Sequence, residues 1–110
     1  MKKIARKNIT EDVILEDIVS LVREAFLSCY GVCGFANLSK KEGKVEEGLN
    51  VRLGAHKRIF VEAYLVVSKD VKITETIRSC QDTVIYRLKR IFPKHVASVE
   101  VYAEEIASRM

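Results

Sequence analysis

Thiols and imidazoles are the side chains of this chain best suited to ligate a metal or start a reaction: Cys29, Cys33, Cys80, His56 and His95. Cys29 and Cys33 are spaced C-x-x-x-C, but a zinc ribbon draws its specificity from a second paired set, and the chain has none. Cys29 and Cys80 instead fall on the apolar faces of two helical patterns, where a free cysteine packs as a small hydrophobe. Nucleophilic catalysis needs a nucleophile, a base and a group that orients the base. Neither histidine has such a partner nearby in sequence. His56 sits in a turn beside Lys57 and Arg58, and His95 follows Lys94 at a helix end, so both are expected as solvated loop residues. G-x-S-x-G, Walker and H-E-x-x-H patterns are missing. The residues predict no catalytic site, no metal site and no cofactor, and hence a protein that is not an enzyme.

Binding chemistry is the remaining class. Gly31-Val32-Cys33-Gly34 reads as G-x-x-G, the backbone clamp of KH domains, but that clamp joins two helices and here it joins a helix to a strand. A helix stop followed by a glycine at a close backbone approach explains it more simply. Arg52, Lys57 and Arg58 cluster near a turn, and Arg87, Lys89, Arg90 and Lys94 near a helix end. With aromatics interleaved, such charge can bind nucleic acid. The alternative function is therefore a KH-like nucleic-acid module contacting its ligand through Lys57, Arg58, Arg87 and Arg90. Glu62, Glu100 and Glu104 on the neighbouring strand faces oppose it by repelling phosphate.

These residues must be positioned by a small set of elements. The stretch 59–67, Ile-Phe-Val-Glu-Ala-Tyr-Leu-Val-Val, is β-rich and reads as a central strand. At period 2, Val61, Ala63, Leu65 and Val67 make one apolar face, and Phe60, Glu62, Tyr64 and Val66 the other. A first helix is expected over about 11–30, capped by Thr10 and stopped by Gly31, with Ile14, Ile18, Leu21, Val22, Ala25, Phe26 and Cys29 on one face. Residues 4–9 read as a short edge strand or a solvated terminus. Strands follow at 32–38 and 49–53, with a polar loop at 39–48 and a turn at 54–58 leading into an antiparallel hairpin. A second helix opens at Thr74 as N-cap, carries Ile77, Cys80, Val84, Leu88 and Ile91 inward, and ends before Pro93. The last strand runs from 96 to 106. Its return beside the central strand after a crossover of roughly 30 residues suits parallel pairing.

The order (β)-α-β-β-β-α-β predicts an α+β fold, a two-layer sandwich with two helices packed on one face of a mixed sheet. At 110 residues the chain is one domain over 9–106, with a basic segment at 1–8 and a tail at 107–110. Met1-Lys2-Lys3 is followed by no apolar run, and no stretch reaches the length of a membrane span, so a cytoplasmic protein is expected. Three cysteines are not a disulfide framework. The second sheet face, with Phe60, Tyr64, Val66 and Tyr102 and with Phe35 beside them, is left uncovered. Neighbouring exposed apolar side chains on one face predict a protein contact, with self-association into a homo-oligomer as its simplest form.

Ile9-Thr10-Glu11-Asp12-Val13-Ile14, Tyr30-Gly31-Val32-Cys33-Gly34, Val61-Glu62-Ala63-Tyr64-Leu65-Val66-Val67 and Val96-Ala97-Ser98-Val99-Glu100-Val101-Tyr102, in that order and spacing, resemble the alkaline shock protein family of mainly Gram-positive bacteria, also called the cell-envelope stress response family. The resemblance covers roughly residues 9–106. It implies a small non-enzymatic cytosolic protein of alkaline or envelope stress that assembles with itself, in some members with a separate membrane-anchor protein as partner. It implies no catalytic residue. The basic surplus of +4 departs from the family pattern.

Overall fold

Ile59, Val61, Ala63, Leu65 and Val67 alternate along one strand, and each is at most 1% exposed. In the computed structural model, the backbone is described for residues 2–41 and 44–107 and the side chains for 14–37 and 47–107. The elements are α1 (Lys2–Leu27), β1 (Val32–Phe35), β2 (Asn37–Lys41), β3 (Lys44–Glu47), β4 (Leu49–Gly54), β5 (Arg58–Ser68), α2 (Ile73–Ile91) and β6 (Val96–Ala107), with a single 3-10 turn at Ala55–Lys57. Strand β5 is the spine. The buried row on it meets Ile18, Val22, Ala25 and Phe26 of α1, Cys80, Val84 and Leu88 of α2, and Val99 of β6 in one core. Both helices therefore lie on the same side of the sheet, and the fold is a two-layer α+β sandwich.

β6 runs parallel to β5 along one edge, from Arg58↔Val96 to Ser68↔Ala107, with one irregularity between Leu65 and Val66. The other edge of β5 is shared. β4 pairs antiparallel with residues 58–63, and β1 pairs antiparallel with residues 65–67. The handover falls on Tyr64. Its carbonyl accepts the N–H of Ala36 at 2.8 Å, and its N–H donates to the carbonyl of Gly48 at 2.7 Å. Between those two bonds the chain leaves the sheet and makes the separate two-stranded ladder of β2 and β3. Gly48 is required at re-entry: a Cβ there would lie 2.5 Å from the Tyr64 carbonyl oxygen and 2.9 Å from that of Ala36.

Several boundaries differ from the sequence reading. Residues 4–9 are not a strand, and Thr10 does not cap a helix; α1 runs unbroken from Lys2, so the limit expected at residue 8 falls inside it. Lysine, arginine and alanine are good helix formers and carry the helix past its apolar stripe. At its other end α1 stops at Leu27 rather than near residue 30. Gly31, at φ +90°, then turns the chain, with its carbonyl accepting the N–H of Ser68 at 2.8 Å. The strand expected at 32–38 breaks at Ala36, and the polar stretch 39–48 holds most of the β2–β3 ladder instead of a loop. α2 begins at Ile73, with Lys72 rather than Thr74 in the cap position. Its buried row is Thr76, Cys80, Val84 and Leu88, a strict four-residue spacing that continues to half-buried Phe92 and leaves Ile91 61% exposed. Of the expected tail, residues 108–110 lie outside the described residues.

Replacing Gly48 with alanine should destabilise the fold by about 2 kcal/mol, because the clash is with two backbone oxygens that cannot rotate away. Urea unfolding of the variant against wild type measures this; an unchanged midpoint would refute the handover geometry.

Candidate functional site on the open sheet face

The side of β5 away from the helices carries Arg58, Phe60, Glu62, Tyr64 and Val66, and the registers of β4 and β6 place partners beside each. Phe60 lies level with Arg52 and Ser98, Glu62 with Asn50 and Glu100, Tyr64 with Tyr102, and Val66 with Gly34 and Glu105. The expected contact residues Phe60, Tyr64, Val66 and Tyr102 are thus brought to one face. The first three are half-buried by their neighbours and Tyr102 is 42% exposed. Phe35 is not among them. A register shift between Val32 and Gly34 sets Phe35 opposite Leu65, and its ring packs edge-on against Phe26 at 5.9 Å on the helix side.

Each aromatic on the open face is engaged by polar groups. The guanidinium of Arg52 lies over the Phe60 ring, 4.5 Å from its centroid. Tyr64 and Tyr102 stack with centroids 5.0 Å apart and planes 18° from parallel. The Tyr102 hydroxyl donates to a carboxylate oxygen of Glu100 at 2.9 Å, and Asn50 donates to Glu62 at 3.4 Å. Desolvation, then the charge and hydrogen bond of Glu62, raise the Tyr64 pKa above 10.0. Tyr102 is raised too, first by its hydrogen bond to Glu100 and then by that residue's charge. Among the described residues the one ion pair is Arg23 with Glu47, so Glu62, Glu100 and Glu104 have no cation paired with them there. The face is therefore an aromatic surface that also carries the carboxylates the sequence reading places there.

The four basic residues of the alternative reading fall on two parts of the fold. Lys57 and Arg58 stand at the entry to β5, where Arg58 shares the parity of the open face. Arg87 and Arg90 belong to the helix layer, in a groove with Leu21 of α1, where Arg90 lies 5.9 Å from the Tyr86 ring centroid.

The cysteines and histidines are dispersed. Cys80 is buried, and burial, followed by a hydrogen bond with Cys29, pushes its thiol up to about 12, far from the thiolate a nucleophile needs. His56 is exposed, at φ 59°, whereas His95 is half-buried against Phe92 with its Nδ1 out of water, which corrects its expected solvated state. Among the described residues no group of three His, Cys, Asp or Glu side chains could hold a metal ion.

Sequence reading found the aromatic and acidic residues of the face but not the contacts among them. Arg52 was visible only as part of a basic cluster, because its stacking on Phe60 depends on the β4–β5 register. Both tyrosines hold their protons more tightly folded than unfolded, so stability should fall as pH rises past about 10 and through their folded values. Replacing Glu100 with glutamine should bring the Tyr102 titration back toward the ordinary tyrosine value in ultraviolet difference spectra. Two unchanged transitions would refute the coupling.

No family model matches the chain. It is similar to the uncharacterized protein YloU of Bacillus subtilis (strain 168), with 28% identity over 104 residues and 86% of each chain covered. Its fold is similar to that of a MamM CTD variant solved in a zinc form, with a TM-score of 0.51 and 15% identity over 86% of each chain. At that identity the likeness bears on the fold alone.

Proposed function

We propose that this chain is a non-enzymatic adaptor domain of the alkaline shock, or cell-envelope stress response, type, and that it works through protein–protein contacts made by its open sheet face. The observation that carries this reading is the one-sided burial of β5. Ile59, Val61, Ala63, Leu65 and Val67 are sealed under two helices, while Phe60, Tyr64 and Tyr102 face the opposite side. A bare sheet face with large aromatics and unpaired carboxylates is a surface made for another macromolecule rather than for a small substrate. The B. subtilis relative fits the mainly Gram-positive range of that family. In this reading the protein works in the cytoplasm. Among the described residues no helix is long and apolar enough to cross a membrane. Recruitment to the envelope then runs through a separate anchor protein.

Nucleic-acid binding has less to rest on, because Lys57 and Arg58 belong to the start of β5 and Arg87 and Arg90 to α2, and Glu62, Glu100 and Glu104 on the open face repel phosphate. The zinc of the MamM structure likewise finds no three-ligand group among the described residues.

Placing a photo-crosslinking phenylalanine analogue at position 102 of the full-length chain, in the cells that make it, should capture protein on irradiation. The same analogue at exposed Ser79 on the helix layer should capture far less. Equal capture from both positions, or none from 102, would overturn the reading. Single-stranded RNA should give a flat titration at low salt; salt-sensitive binding would restore the nucleic-acid alternative.

A further inference from the structure

β6 is an edge strand. It pairs with β5 and, among the described residues, with no other strand, so its outer N–H and C=O groups join no ladder. It is also long, at 12 residues, or about 40 Å, and holds no proline. Proteins commonly blunt such an edge by shortness, proline or cover, because it is a template for another chain. Here cover is present toward one end. The side-chain amide of Gln81 on α2 donates to the Val99 carbonyl at 2.6 Å, and Val99 is 4% exposed. Past that level the helix side opens step by step: Val101 and Ala103 are half-buried, and Ile106 is 48% exposed. On the other side the register sets Glu100, Tyr102 and Glu105 level with Glu62, Tyr64 and Val66, with Glu104 as the extra residue at the irregularity. All four are exposed, and among the described residues none of these three carboxylates has an ion pair.

Resting on the adaptor reading, we infer that the outer edge of β6 from Glu100 to Ile106 takes an extended segment of a partner protein as an added strand, and that this segment alternates basic with apolar residues. Main-chain hydrogen bonds to a sheet edge supply affinity in this mode of recognition, and alternate side chains supply specificity. The side-chain period of 2 lets one segment meet both sides of β6 at once. Its cations lie beside Glu100 and Glu105, where a charge-assisted contact is strong. Its apolar residues continue the row of Val101, Ala103 and Ile106 on the side that α2 leaves partly open. Charge also excludes the simplest rival, a second β6. Parallel and in register, each glutamate would meet itself; antiparallel about Tyr102, Glu100 would meet Glu104. Like charges directly opposite destabilise a strand pair.

A dye-labelled peptide of alternating lysine and valine, about eight residues long, should bind the whole chain saturably in an anisotropy titration at low salt. The β6 amides between residues 100 and 106 should then exchange at least about tenfold more slowly. N-methylation of alternate peptide residues keeps every charge but removes the donors of one edge, and it should weaken binding by about tenfold or more. The variant E100K/E105K should lose the lysine peptide and gain one of alternating glutamate and valine, a reversal that excludes misfolding. No binding of the lysine peptide, equal binding of its N-methylated form, or protection confined to other elements would overturn strand addition. So would protection of the same amides on raising the protein concentration without peptide, because the occupant would then be a second copy. The crosslinker at position 102 separates this inference from the adaptor reading. If it captures protein while the peptide fails, strand addition falls and the adaptor reading stands. If the peptide binds as expected and position 102 captures nothing, the edge is supported as a strand acceptor and the adaptor reading falls.

Discussion

A strand in the middle of a sheet must find a partner for the donors and acceptors on both of its edges, and burying its side chains raises the cost of leaving any unpaired. β5 meets that demand along eleven residues, but with three partners rather than two. β6 serves one edge throughout. On the other edge β4 and β1 lie end to end, and the backbone of Tyr64 is the joint where one stops and the other starts. The rest of the molecule follows from that arrangement. The helices seal the side on which the alternate residues of β5 from Ile59 to Val67 form one continuous apolar row. Among the described residues, the helices pack on that side alone.

One residue thus holds two roles. The main chain of Tyr64 closes the sheet, while its side chain stacks on Tyr102 and stands at the centre of the open face. The sheet pairing and the exposed stack are carried by different atoms of the same residue. That is why the charged groups around it are tolerated. The carboxylates of Glu62 and Glu100 accept hydrogen bonds from Asn50 and the tyrosine hydroxyls, without drawing on the core.

What the sequence made legible was whatever a local period encodes. The alternation at 59–67 assigned Phe60, Glu62, Tyr64 and Val66 to one face and their neighbours to the other, and the core confirms it residue by residue. Helix identities came through by the same route, from Ile18, Val22 and Phe26 and from Cys80, Val84 and Leu88. What failed was whatever depends on pairing with distant chain. Phe35 changed sides because a bulge in β1 resets parity, which no local pattern announces. The β2–β3 ladder escaped notice because both of its stretches are rich in charged and polar residues and show no apolar alternation at period 2. Ile91 was placed inward and Phe92 was not, since a seven-residue approximation and a strict four-residue spacing diverge by the fifth turn. The levelling of Glu62 with Glu100 and of Tyr64 with Tyr102 needed the parallel register of β5 and β6, which only the folded chain supplies.

The excursion between Ala36 and Gly48 has an implication of its own. Both of its ends are pinned to a single residue, so the sheet registers only where the chain departs and where it comes back. Whatever is spliced between them can lengthen, shorten or change in composition without shifting any rung of the spine. The hairpin is thus a graft site, the place where variants of this architecture are freest to diverge in sequence while the scaffold beneath stays the same.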